Sequence, residues 1–171
     1  MATKSRAVKR DKSGSTEPKE PRYIIDPQRI EDRGRAASAL LESRMCAESR
    51  EKLGSRFETA RSDFAELRRL IRDNCQLDAN YLHSHLPIME TAFRLLLIAP
   101  REPVVLSTLH GQIDDLWSSA PWPRQISAKA LARILGSDGY YGIVEVGSRD
   151  VPKSGRRNTP RGANPVRRQT E

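Results

Sequence analysis

The order of patterns between Leu86 and Val146 constrains this chain most, because three helical periodicities and a β-type run follow one another within one small-domain length. Pro87 opens a segment in which Ile88, Met89, Ala92, Phe93, Leu95, Leu96, Leu97 and Ile98 leave no polar side, as expected of a buried helix. Ala99 to Pro103 breaks it, and Val104, Val105 and Leu106 suit a short strand. Ser107 is placed to cap a second helix, whose apolar residues Leu109, Ile113, Leu116 and Trp117 fall at i, i+4, i+7 and i+8 and so share one face. The run Ala120, Pro121, Trp122, Pro123 cannot continue a helix, since each proline removes a donor and restricts the residue before it. Ser127 then caps a third helix carrying Leu131, Ile134 and Leu135, which Gly136 to Gly139 terminates. Tyr140, Tyr141, Ile143, Val144 and Val146 are β-formers, and the strand they predict is expected beside residues 104 to 106.

Charge is distributed unevenly around this unit. The chain of 171 residues has a net charge of +8, with 30% charged and 37% hydrophobic residues, which is poor in apolar content for a chain folded throughout. Residues 1–22 carry seven Lys or Arg against three acids, and residues 149–171 carry seven against two; residues 23–148 carry sixteen against seventeen. All the positive excess therefore lies in two tails. The first is rich in Lys, Arg, Ser, Glu and Pro, and the second has arginines spaced by Gly, Pro, Asn and Ser; with almost no large apolar residue they cannot offset their ordering entropy and are expected to be disordered. The first tail has no amphipathic apolar stripe, and Asp11, Glu17 and Glu20 interrupt its basic character, which argues against a mitochondrial presequence. No apolar stretch is long enough for a signal peptide or a bilayer span.

Residues 23–85 read as helical. Asp26 is the expected N-cap, Pro27 suits the first helical position, and the pattern runs to about Gln76. Leu53, Phe57, Ala60, Phe64, Leu67 and Ile71 are spaced as a heptad seam, while Gly54 weakens the helix by roughly 1 kcal/mol relative to alanine. The seam either packs against the apolar helix near Leu95 or pairs with a second copy as a homodimeric coiled coil. Arg61, Glu66, Arg68 and Arg69 fall off it and are expected in solvent.

Cys46 and Cys75, with His83 and His85, offer four metal-ligating side chains at spacings foreign to zinc modules, so no metal is expected, and Cys46 reads as a small buried hydrophobe. Two cysteines in such a chain suit a reducing compartment, which gives a cytoplasmic expectation, nucleoid-associated in a bacterium. No phosphate-binding loop, dinucleotide fingerprint or nucleophile elbow occurs. His110 and Asp114 sit four apart on a helix, and Asp115 adjoins them, where solvation is the ordinary role. The chain is read as a non-enzyme without a cofactor.

The third helix is the candidate binding surface. With Leu131, Ile134 and Leu135 inward, Lys129 and Arg133 face outward, and Arg124, Gln125 and Ser127 gather at or before its N-terminus. Side chains so placed reach base edges and phosphates in a helix-turn-helix. Residues 86–148 hold five basic and six acidic residues, whereas a dedicated DNA reader is basic over one face. Arg149, Lys153, Arg156, Arg157, Arg161, Arg167 and Arg168 follow the β-run directly, and an arginine-rich arm of this kind can neutralise phosphates or enter a minor groove.

The residues Leu106 to Trp117, then Gln125 to Leu135, then Gly139 and Tyr141, Gly142, Ile143 resemble the winged-helix superfamily. They are similar to the small C-terminal winged helices of phage and plasmid replication proteins over about 40 residues. The resemblance implies a DNA-associated fold; the helicase of those proteins has no counterpart here. The expectation is thus a mainly α chain: a basic tail (1–22), a long helix able to form a coiled coil (23–85), a winged-helix domain with a short β element (86–148) and a second basic tail (149–171). The expected function is nucleic-acid binding, to duplex DNA, as a small regulator or a chromosome- or replicon-associated factor. The alternatives are a scaffold whose winged helix docks a protein, and an RNA- or ribosome-associated protein.

Overall fold

The computed structural model describes residues 20–54 and 63–147. Its described residues are mainly helical, with seven helices and one three-stranded antiparallel sheet. Strand β1 (Arg22–Ile25) leads into α1 (Pro27–Glu31), α2 (Ala37–Glu42) and α3 (Ala47–Leu53). Helix α4 (Phe64–Leu70) runs on as a π-turn over Ile71–Cys75. Helix α5 (Ile88–Ile98), strand β2 (Val104–Val105), α6 (Leu106–Ser118), α7 (Ala128–Gly136) and β3 (Ile143–Glu145) complete the order.

The single long helix expected from Pro27 to about Gln76 is not what the described residues form. Asp26 does cap α1, its carboxylate accepting the Gln28 N–H at 3.0 Å. The chain then turns twice, and Gly54 ends α3 with a φ of +21°, a conformation that a residue with a Cβ rarely adopts. The seam positions Leu53, Leu67 and Ile71 are all buried in the chain's own core, and Phe64 packs half-buried against it. Phe57, Ala60 and Arg61 lie outside the described residues. Off the seam, Glu66 and Arg69 are exposed, but Arg68 is half-buried and pairs with Glu102 while donating to the Leu96 carbonyl.

The sheet differs from expectation in its middle strand. β3 does not lie beside β2; β1 lies between them, pairing Tyr23 with Val104 on one side and with Glu145 on the other. Its alternation places Tyr23 and Ile25 inward, at 1% and 5% exposure, in one core cluster with Leu109, Ile113, Leu131 and Leu135. Helix α5 is the axis of this core: it packs against the π-turn on one side and against β1 and α6 on another. Phe93, Leu96 and Leu97 are fully enclosed there, as an apolar helix requires. Helix α7 packs on α6 and β3. No helix among the described residues is long and apolar enough to cross a membrane.

Candidate nucleic-acid interface

Helix α7 forms as its sequence dictates. Ser127 is the N-cap, and its hydroxyl accepts the Ala130 N–H at 3.2 Å. Leu131 and Leu135 are buried against α6 and β3, Ile134 is half-buried, and Lys129, Arg133 and Gly136 form the exposed stripe. Neither the Lys129 nor the Arg133 side chain has a hydrogen-bond or ion-pair partner among the described residues.

The segment between α6 and α7 is held rather than free. His110 on α6 donates from Nε2 to the Ile126 carbonyl at 2.6 Å, and its Nδ1 lies 3.4 Å from the Asp114 carboxylate. Arg124 turns back from the helix: its guanidinium sits 4.2 Å above the Trp117 ring and donates to the carbonyls of Ser84 and Leu86. Gln125 is exposed. The predicted cluster is therefore divided, with Ser127 structuring the helix start, Arg124 bracing the turn, and Gln125, Lys129 and Arg133 facing solvent. Arg149, Lys153, Arg156, Arg157, Arg161, Arg167 and Arg168 lie outside the described residues; the chain leaves the sheet after β3, where the Val146 N–H donates to the Arg22 carbonyl.

The near-neutral charge count of this part hides a segregation. Of its five basic residues, Arg94 is paired with Glu90 and Arg124 with carbonyls, which leaves Arg101, Lys129 and Arg133 without partners among the described residues. Two further cations join it from distant sequence. Arg33 and Arg35 both donate to the Gly139 carbonyl, at 2.8 and 3.0 Å, and Arg35 lies 4.3 Å over the half-exposed Tyr140 ring. They border the loop that follows α7. No local signal marked them, because they meet Gly139 across more than a hundred residues.

The N-terminus of α6 also departs from its sequence reading. The helix begins at Leu106 with Val105 at the cap, so Ser107 is inside the first turn. The Ser107 N–H instead donates to the Glu20 carboxylate at 2.5 Å, and those bonds to Ser107 hold Glu20 below its ordinary pKa. Such a bond satisfies one of the four orphan donors of a helix start from outside the helix.

No protein-family model, curated protein or solved structure matches this chain.

A buried ionic cluster adjoins the loop after α7. Glu90 on α5 accepts from Arg44 at 3.0 Å, from Arg94 at 2.7 Å and from the Tyr141 hydroxyl at 3.0 Å. Burial pushes the Glu90 carboxyl up, but the two guanidinium groups more than reverse this and keep it below the ordinary carboxylate value. Burial also raises the Tyr141 phenol, and the adjacent Glu90 charge raises it further. Arg44 comes from the loop after α2 and Tyr141 from the loop after α7, so one carboxylate ties the N-terminal helices to the loop that the candidate interface adjoins. Arg44 donates further to the Leu40 carbonyl and Arg94 to the Tyr81 carbonyl, so the cluster is tied to the backbone on both sides. Among the described residues, no three His, Cys, Asp or Glu side chains are grouped to hold a metal ion.

Proposed function

We propose that this protein binds nucleic acid, duplex DNA in the first instance, through the exposed face of α7 in a winged-helix-like unit assisted by the basic tails. The observation that carries the reading is the pair Lys129 and Arg133, one helical turn apart, exposed and without partners on a helix that a capped N-terminus and two buried leucines hold rigidly. Cations kept free of internal pairing are suited to phosphates and base edges. Arg33 and Arg35 extend the positive surface past the end of α7. The tails supply the larger sequence-independent term, because each phosphate neutralised on B-DNA contributes about −0.9 to the slope of log affinity against log salt.

A second reading is favoured by Trp122, 85% exposed between two prolines, and by Leu77 at 81%. Large apolar groups presented in this way suit a protein partner, so the unit could serve as a docking element.

The experiment is a binding series on duplex DNA, single-stranded DNA and RNA across salt, with the full chain, a chain lacking residues 149–171 and the double variant Lys129→Ala/Arg133→Ala. Removing the tail's seven cations should weaken binding and flatten the salt slope. The double variant should lose preference for a selected duplex site over random duplex by roughly ten-fold or more, each good base contact being worth about 1–3 kcal/mol. An unaltered preference ratio, or no site recoverable with the parent, removes the DNA-reading role and promotes the docking one.

A further inference from the structure

The only two cysteines of the chain, separated by 28 residues, meet in the core. Cys46 precedes α3 and Cys75 ends the π-turn, and their Sγ atoms are 2.7 Å apart. A disulfide, about 2.05 Å long, would need only a small approach of the two sulfurs. Three further contacts fix the pair. The Cys46 N–H donates to the Cys75 Sγ at 3.2 Å, and the buried Ser49 hydroxyl lies 3.3 Å from one sulfur and 3.1 Å from the other. Ser49 also donates to the Leu70 carbonyl, which anchors it at the junction of α4 and the π-turn.

We propose that Cys46 and Cys75 form a redox-modification site that closes to an intramolecular disulfide when a small peroxide oxidises it, and that a low-molecular-weight thiol reopens it. The two thiols are not equivalent. Burial pushes Cys46 up, but its hydrogen bonds with Cys75 and Ser49 overcome this and bring it below the ordinary thiol value. Burial and the bond it gives to Cys46 raise Cys75 to about 11. Cys46 also keeps 9% exposure where Cys75 has none, so a molecule the size of hydrogen peroxide reaches Cys46 first.

The chemistry balances with peroxide as the oxidant. Cys46 loses its proton, and the thiolate attacks one peroxide oxygen; the O–O bond breaks, leaving a sulfenic acid on Cys46 and a hydroxide that takes up the released proton. Cys75 then attacks the sulfenic sulfur, the S–O bond breaks, and the hydroxide departs with the Cys75 proton as a second water. Two thiols lose two electrons and the peroxide gains them. Reopening needs two equivalents of an external thiol, the first forming a mixed disulfide. The bond pins the start of α3 to the end of the π-turn, across the segment in which Gly54 ends α3.

The test uses the reduced full-length chain treated with hydrogen peroxide near neutral pH. The expected result is a monomer whose intact mass is lower by two hydrogen atoms, with no titratable thiol after denaturation, both reversed by dithiothreitol. Its melting temperature should rise by about 5–10 °C, because the bond constrains a long loop of the unfolded chain. Cys75→Ser should instead accumulate a sulfenic acid on Cys46 that dimedone traps, and Cys46→Ser should keep Cys75 unmodified at the same dose. Persistence of both thiols in the parent at a dose that oxidises its methionines, or disulfide-linked dimers in place of the monomeric bond, overturns the proposal. The parent's mass measurement needs no variant, so a substitution that fails to fold leaves the answer intact.

Discussion

Arg44 and Arg94 on one side, and Lys129 and Arg133 on the other, are all cations on or beside helices, yet the fold treats them in opposite ways. The first two are 15% and 19% exposed and converge on the Glu90 carboxylate, with Arg44 also lying 5.6 Å over the Phe93 ring. The second two are exposed and touch no acid among the described residues. A buried guanidinium must be paired, because removing it from water is costly; an exposed one is left open only at a small cost. A near-neutral count of charges thus contains both a neutralised interior and an unneutralised surface. Only the surface is available to a partner.

The largest expected effect lies in the interior. Glu90→Ala leaves two largely buried cations without their shared anion and should destabilise the fold by about 3–5 kcal/mol, measured as the urea midpoint. The acid dependence sharpens this. The folded carboxyl titrates below its ordinary value of 4.5, so its contribution is complete above that value and is lost as pH falls through the folded one. The stability gap between the parent and Glu90→Gln should therefore narrow from about pH 5 downward; a gap that stays constant to pH 3 would show that packing and not charge holds the cluster.

A smaller loss is expected where the interior meets the loop after α7. Gly142 has a φ of +69°, and a Cβ there would lie 2.6 Å from the Asp26 carbonyl oxygen and 2.7 Å from Ile30 Cγ1. Gly142→Ala should cost about 2–3 kcal/mol by thermal melting, since both the conformation and the backbone contact resist it. The smallest effect belongs to the surface. Lys129→Ala/Arg133→Ala should change stability by no more than about 0.5 kcal/mol while changing binding. A large loss of stability there would mean that these cations are structural after all and would erase the contrast with Arg44 and Arg94.

Much of the second half was legible because its signals are local and long enough to show a period. Leu109, Ile113, Leu116 and Trp117 do line the inner face of α6, and Ser127 does cap α7. β1 was missed because it is four residues beside a proline-led helix start, too short for alternation to stand out. The seam residues Leu53, Leu67 and Ile71 were rightly read as apolar contact positions, but a heptad spacing persists across a break, and only φ at Gly54 records that the helix stops. The cap on Ser107 failed for a different reason: Glu20 reaches it from across the chain, 87 residues away. The same holds for Cys46 with Cys75, and for Arg33 and Arg35 with Gly139, since spatial neighbours far apart in sequence leave no pattern in a single chain.

The middle strand of the sheet has a consequence in time. On a ribosome β1 emerges first, β2 about 80 residues later and β3 about 120 residues later. At a synthesis rate of about 5–20 residues per second, β1 waits on the order of ten seconds for its last neighbour, with both edges unpaired and Tyr23 and Ile25 uncovered. The helices α2 to α5, whose contacts are closer in sequence, can associate during that interval. A nascent chain of this protein is therefore most exposed to wrong strand pairing while α6 and α7 are still being made, and its sheet closes only when β3 has cleared the exit tunnel.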